Sequence, residues 1–170
     1  IYTALNTLSL HDALPISDSL LSRTRKHRLL RSGEAFSTSA LVAEQARIEA
    51  LMRNNGYYYF SPTYTTFFAD TVAHPGYVQL QVRPAAQRPA VAQRPWYIGH
   101  VYVTIRDENE SNITGRLDRP GYTYFFPGQQ IPLQPGVWRR SIQHMEGERF
   151  AAWAQKATVE HLYGLGIFSA

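Results

Sequence analysis

Residues 33–60 read GEAFSTSALVAEQARIEALMRNNGYYYF, and this stretch decides how the chain folds. Ser37 or Thr38 can cap a helix, because a side-chain oxygen satisfies the free amides of the first turn. Apolar side chains then recur at helical spacing as far as Met52. Asn54-Asn55-Gly56 ends the helix, since glycine readily adopts the left-handed cap conformation. The stretch therefore predicts a glycine turn, an amphipathic helix and a following aromatic strand.

Two strands are expected after this helix. Residues 57–72 are rich in aromatic side chains and threonine, with Pro62 as a kink or edge marker. His74-Pro75-Gly76 is typical of a turn. Residues 77–82 then alternate strictly between apolar and polar side chains, which predicts a sheet with one buried face. Before the quoted stretch, residues 18–31 predict a further helix.

The pattern occurs twice. Gly33-Glu34-Ala35-Phe36 corresponds to Gly147-Glu148-Arg149-Phe150, and Asn55-Gly56-Tyr57-Tyr58 corresponds to Leu165-Gly166-Ile167-Phe168. A strand at residues 97–105 precedes the second copy. Superposing the copies gives one module of the order β-α-α-β-β. Between strand and helix of the second copy, residues 106–135 predict a long loop with an aromatic cluster that packs down.

The expected fold class is α+β, with two such modules in tandem. They cover residues 17–83 and 96–170, and residues 84–95, which repeat AQRP, predict a linker. Residues 1–16 resemble a translated sequencing adapter and are expected to be non-native, so they are set aside. The first module is then expected to lack its opening strand and the second its closing strands, as in an internal piece of a longer gene.

This module resembles the POTRA domain of the BamA/TamA-like (Omp85 superfamily) outer-membrane assembly factors, Bacteroidetes type. Short motifs in a repeated order carry the resemblance: G-E-x-F, a helix with a Leu/Ile core face, and N-G-Y-Y-Y-F entering a strand. The motif residues with a structural role are Gly33, Phe36, Gly56, Gly147, Phe150, Gly166 and Phe168.

Composition and motifs exclude several chemistries. The 170 residues contain no cysteine, so a thiol nucleophile and a Cys-ligated zinc site are absent. No Gly-x-Ser-x-Gly elbow and no phosphate-binding loop occurs, and the histidines show no metal-ligand spacing. Asp107, Glu108 and Glu110 are interpreted as a solvated loop. We therefore expect no enzymatic activity, no cofactor and no metal site.

The resemblance implies a function in assembling outer-membrane proteins. Unfolded outer-membrane proteins would pair as an added strand with an open sheet edge and pass to a C-terminal barrel. The candidate edge residues are Tyr57, Tyr58, Tyr59, Phe60, Tyr64, Thr65, Thr66 and Phe67. Periplasmic assembly proteins or lipoproteins are further expected partners. The implied location is the periplasmic face of the outer membrane, to which the full-length protein would be anchored.

Two alternatives remain. A secretion or translocation pore of the same superfamily would carry the same modules. A small basic nucleic-acid-binding domain is the alternative from another class, but 15 of the 17 basic residues are arginine, the net charge is only +4, and no nucleic-acid partner is expected. The basic run at residues 23–28 is interpreted as a solvated face, with contact to nucleic acid, acidic lipid headgroups or a partner subunit as the alternatives.

Overall fold

A computed structural model describes residues 3–6, 20–73, 76–106 and 112–166. The chain divides into two compact units, Ile1–Arg94 and Pro95–Ala170. Each unit contains one three-stranded sheet.

The first unit is built around a central strand. Its elements are β1 (Thr3–Asn6), α1 (Thr38–Arg53), β2 (Thr65–Asp70) and β3 (Tyr77–Pro84), with short 3-10 turns at Arg25–His27, Pro62–Tyr64 and Ala90–Gln93. The sheet order is β1-β3-β2. β1 runs parallel to β3, and β2 runs antiparallel to it. Residues 20–23 are helical.

Burial along β3 follows the predicted alternation. Val78, Leu80 and Val82 are buried, whereas the residues between them are partly exposed. Ile48 and Met52 of α1 belong to the same core cluster as Val82. The buried face of the sheet is therefore packed against α1 at the Val82 end of β3.

The second unit places its strands before its helices. Its elements are β4 (Val101–Thr104), β5 (Ile113–Arg119), β6 (Tyr122–Pro127), α2 (Pro135–Ser141) and α3 (Ala152–Gly164). The sheet order is β4-β6-β5, with β6 parallel to β4 and antiparallel to β5. The buried core joins side chains of β6 to Trp138 and Ile142, at and just after α2.

The α+β class is confirmed, and three expected details differ. A short first strand, β1, is present, because the edge of β3 offers unpaired amides and carbonyls that an extended segment satisfies. The predicted long loop at residues 106–135 contains the β5–β6 hairpin, since Pro120-Gly121 forms a tight turn rather than a break. The second unit thus has the order β-β-β-α-α within its described residues.

Other predicted segments differ from the observed elements in their bounds or lie outside the described residues. Within the described part of the helix expected at residues 18–31, residues 20–23 are helical, and the chain then continues as a 3-10 turn and an extended segment. The predicted linker at 84–95 begins inside β3, and its Ala92 is buried against the first unit. The expected strand at Ile167-Phe168, the turn residues His74-Pro75 and the acidic residues 107–110 lie outside the described residues.

The two copies of the G-E-x-F motif share a local geometry. Gly33 and Gly147 both have a left-handed backbone, with φ of 87° and 83°. Each is followed after the same number of residues by a helix, α1 or α3. A side chain at either position would strain the turn that delivers the chain to its helix.

A buried carboxylate holds the segment before α1 in place. Glu44 is 2% exposed and accepts a hydrogen bond from the amide of Leu29 at 2.9 Å. Its other contacts are to Arg47, whose Nε and Nη2 donate at 2.9 and 2.6 Å. A buried charge needs such partners to offset its lost hydration. Glu44 therefore fixes the extended segment against α1.

Replacing Glu44 with Gln should lower the free energy of unfolding by about 2 kcal/mol, because hydrogen bonds to charged groups are worth roughly 1.5–3 kcal/mol. Urea unfolding followed by circular dichroism measures the change. Glu49→Gln on the same helix is the control: Glu49 meets Arg53 at 3.7 Å in a partly exposed pair, and solvated pairs of this kind contribute below about 1 kcal/mol. Equal losses in the two variants would contradict this role for Glu44.

Close packing in the second sheet requires glycine at position 115. A Cβ there would clash with the ring of Phe126 and would lie 2.7 Å from the carbonyl oxygen of Gly128. We expect Gly115→Ala to destabilise the second unit by about 1–3 kcal/mol through overpacking. Urea unfolding followed by the fluorescence of the buried Trp138 reports on this unit. Gly99→Ala, where nothing lies within 4 Å, should change stability little; similar midpoints for both variants would refute the prediction.

Candidate strand-binding edge

β2 lies at the edge of the first sheet. β3 is its one neighbour among the described strands. The register pairs Thr65 with Pro84, and the amide of Ala85 donates to the carbonyl of Tyr64 at 2.9 Å, one step further along. In an antiparallel pair, bonded and non-bonded positions alternate. That bond therefore fixes which residues of β2 face β3 and which face outward.

The outward-facing backbone groups belong to Thr65, Phe67 and Ala69. Thr66 and Phe68 pair through their backbones with β3, by the alternation that starts at Tyr64. At Thr65 the outward carbonyl already accepts a hydrogen bond from Nε2 of Gln45 at 2.8 Å. The amides and carbonyls of Phe67 and Ala69 meet no further strand in the described part of the chain. They form the open part of the edge.

Side chains along β2 divide between the two faces of the sheet. Thr65 is buried and Phe67 packs against the core cluster. Phe68 points to the opposite face, is 50% exposed, and has the guanidinium of Arg83 5.0 Å from its ring centroid. Asp70 ends the strand, where its carboxylate accepts from the amides of Val72 and Ala73. β2 therefore carries no charged side chain before its last residue.

The eight predicted edge residues do not all reach the edge. Thr65, Thr66 and Phe67 lie on β2 as predicted. Tyr57 is wrong as an edge residue: its amide bonds to the carbonyl of Met52, which turns the chain inward and buries its side chain at 1% exposure. Tyr58 and Tyr59 are exposed and contact each other edge to face, in a turn before the strand.

Phe60 and Tyr64 instead line an apolar cleft at the start of β2. They pack edge to face with centroids 5.9 Å apart, and Pro62–Tyr64 forms a 3-10 turn. Leu21 and Met52 contribute further apolar surface to the same cleft. The predicted edge residues did not include Phe68 and Gln45. The run of Thr and Phe at residues 65–68 was a usable signal for Phe68, whereas the reach of Gln45 to β2 depends on how α1 packs.

The edge at β5 of the second unit differs from that at β2. β5 has an irregular register between Ile113 and Gly115, and its exposed residues include the paired charges Arg116 and Asp118. Bulges and charged side chains are the features with which proteins block strand addition at an edge. β2 has a continuous register and no charge before Asp70. Of these two edges, β2 is the one suited to accept a strand.

Hydrogen bonds in the second unit link a histidine, a threonine and an aspartate in a row, as in some catalytic sites. Nε2 of His100 lies 2.9 Å from Oγ1 of Thr123, and that hydroxyl donates to Asp118 at 2.8 Å. Hydrogen bonds from Arg116 and then Thr123 lower the pKa of Asp118. Because Thr123 is buried and its proton is already donated to Asp118, this hydroxyl is not placed as a nucleophile. The arrangement pins β5, β6 and the segment before β4 together.

Within the described residues, no three His, Asp or Glu side chains come together as a metal-binding group would require. No helix in that part of the chain has the length and apolar character to span a membrane.

Comparison with known proteins finds similarity among solved structures. No protein-family model and no curated protein matches the chain. The crystal structure of Haemophilus influenzae BamA POTRA3-5 matches with 14% identity and a TM-score of 0.42, covering 100% of this chain and 52% of that one. The chain thus spans about half the length of that structure.

Two Omp85 structures from cyanobacteria also match. The N-terminal domain from Thermosynechococcus elongatus has 11% identity and a TM-score of 0.32, covering 100% of this chain and 88% of that one. POTRA1-3 of the Anabaena periplasmic domain has 10% identity and a TM-score of 0.25, covering 99% and 86%.

Proposed function

We propose that the chain is the periplasmic POTRA region of an outer-membrane protein assembly factor, and that it binds unfolded outer-membrane proteins as strands added to β2. The observation that carries this proposal is the open, uncharged outer edge of β2 at Phe67 and Ala69. The order of elements in the first unit and the repeated G-E-x-F motif support this class of protein. No chemical step is part of this function, which consists of binding and release.

Backbone pairing suits a binder of many clients. Amides and carbonyls are common to every sequence, so a strand added to β2 gains affinity from its main chain and little selectivity from its side chains. Selectivity would come from alternate positions, where Phe68 offers an exposed ring on one face. Clients whose apolar side chains alternate, as in the strands of membrane barrels, match that spacing.

The edge provides weak binding. Phe67 and Ala69 present four outward backbone groups, and each hydrogen bond contributes about 1 kcal/mol net. The total of about 4 kcal/mol corresponds to a Kd on the order of 1 mM, which contacts with Phe68 would tighten. Weak binding permits rapid release, which a hand-off to a C-terminal barrel requires. The same proposal includes periplasmic assembly proteins or lipoproteins as partners, and a full-length protein that is anchored in the outer membrane.

A translocation pore of the same superfamily would use the same edge. The two functions differ in the client, an outer-membrane protein in one case and a secreted protein in the other. We favour assembly because the edge has no charge before Asp70 and so imposes little selection on its client.

Ala69→Pro tests the edge without breaking the sheet. Proline removes the outward amide of residue 69 and places its ring where a strand would approach, but spares the bonds of Thr66 and Phe68 to β3. We expect binding of a fluorescein-labelled peptide of alternating Thr and Val, flanked by Lys, to weaken about tenfold, as loss of ~1.4 kcal/mol implies. Fluorescence anisotropy measures it.

Ala69→Ser is the matched control, because it changes the side chain and keeps the amide. It should bind the peptide as the parent chain does. A peptide that is N-methylated at every Thr and Val amide should bind neither chain, since neither of its edges can then pair as a strand. Undiminished binding to Ala69→Pro, with thermal unfolding unchanged, would contradict strand addition at β2.

A further inference from the structure

The net positive charge of the chain is concentrated in one segment. Residues 20–37 contain five of the 17 basic side chains and one of the 13 acidic ones, which leaves 12 of each sign in the rest of the chain. The basic residues are Arg23, Arg25, Lys26, Arg28 and Arg31, and the acidic one is Glu34. Outside this segment the formal charges cancel, so a local surface rather than the whole chain is basic.

Four of these cations lie on the surface. Arg23, Arg25, Lys26 and Arg31 are exposed, whereas Arg28 is partly buried. Within the described ranges, none of the four lies within salt-bridge distance of a carboxylate. The nearby buried carboxylate, Glu44, is engaged by Arg47 and by the amide of Leu29. The positive charge of the segment therefore remains available to an external anion.

The segment is held in a defined conformation. The hydroxyl of Thr24 donates to the carbonyl of Leu20 at 3.1 Å, and the amide of His27 donates to the carbonyl of Thr24 at 2.9 Å. Glu44 fixes Leu29 on the following extended part. The basic residues are thus presented on a folded turn, which lowers the entropy that binding must overcome.

Apolar side chains accompany the cations. Leu29 is 47% exposed and lies between Arg28 and Arg31 in the chain, and Phe36 is 38% exposed at the end of the segment. Basic residues interspersed with exposed Leu and Phe are typical of surfaces that bind at the boundary of a bilayer. There the cations meet phosphate groups and the apolar side chains leave water.

We propose that residues 23–36 form a docking surface for an anionic phospholipid bilayer. Charge complementarity identifies the partner: a cluster of basic side chains is attracted to a surface of acidic headgroups, by about fivefold in affinity for each Lys or Arg that reaches it. Nucleic acid offers the same negative charge, but only a bilayer also accommodates Leu29 and Phe36. The surface is separate from the outer edge of β2 and acts independently of strand binding.

Flotation with vesicles tests the proposal on the whole chain. The vesicles contain 30% phosphatidylglycerol in phosphatidylcholine, or phosphatidylcholine alone. We expect binding only to the anionic vesicles, and a loss on the order of 100-fold when Arg25, Lys26 and Arg31 are all replaced by Gln. The matched control replaces Arg106, Arg139 and Arg140 by Gln, which removes three exposed charges from the second unit. Equal losses in the two triple variants would overturn a localised surface.

A second pair of measurements separates a bilayer from a polyanion. Leu29→Ser with Phe36→Ser keeps every charge and should weaken vesicle binding severalfold, while binding to a 30-base-pair DNA duplex stays as weak as that of the parent chain. Thermal unfolding followed by circular dichroism is the control, and each variant should keep the midpoint of the parent chain. Tight, salt-dependent binding to the duplex that the basic triple variant abolishes, without vesicle binding, would replace the bilayer with nucleic acid and overturn the proposal.

Discussion

The backbone pairing of β3 is the constraint on which the first unit depends. Among the described strands of this sheet, β3 alone has a neighbour on each side, β1 and β2. Its alternating sequence commits Val78, Leu80 and Val82 to the buried face, where α1 packs against Val82. The register with β2, anchored where the amide of Ala85 meets Tyr64, then decides which groups of β2 are turned outward. The groups that form the binding edge are thus determined by the burial of β3 and by its register with β2.

The periodicity of apolar side chains predicted the elements that bury one face, a strand and a helix. The alternation of residues 77–82 and the capped helical pattern ending before Gly56 both correspond to observed elements, β3 and α1. The β5–β6 hairpin was not predicted, because residues 106–135, which include Gly115 and Pro120-Gly121, predicted a long loop. In the structure Gly115 accommodates the ring of Phe126, and Gly121 supplies the turn with φ of 78°.

The candidate site was predicted in part for the same reason. Thr65 to Phe67 lie on the edge strand, as β propensity indicated. Tyr57 instead turns into the core, because its amide donates a hydrogen bond to the carbonyl of Met52 in the last turn of α1. Propensity does not distinguish a buried aromatic residue from an exposed one. The contacts of Gln45 with Thr65 and of Glu44 with Leu29 join residues 20 and 15 positions apart, so they follow only from tertiary packing.

Amide hydrogen exchange at β2 tests the central claim most directly. In the free chain the outward amides of Phe67 and Ala69 should exchange rapidly, while those of Thr66 and Phe68, paired with β3, are protected. Saturation with the alternating Thr-Val peptide should protect Phe67 and Ala69 and leave Thr66 and Phe68 unchanged. Rapid exchange of Phe67 and Ala69 in the saturated complex would contradict strand addition at this edge.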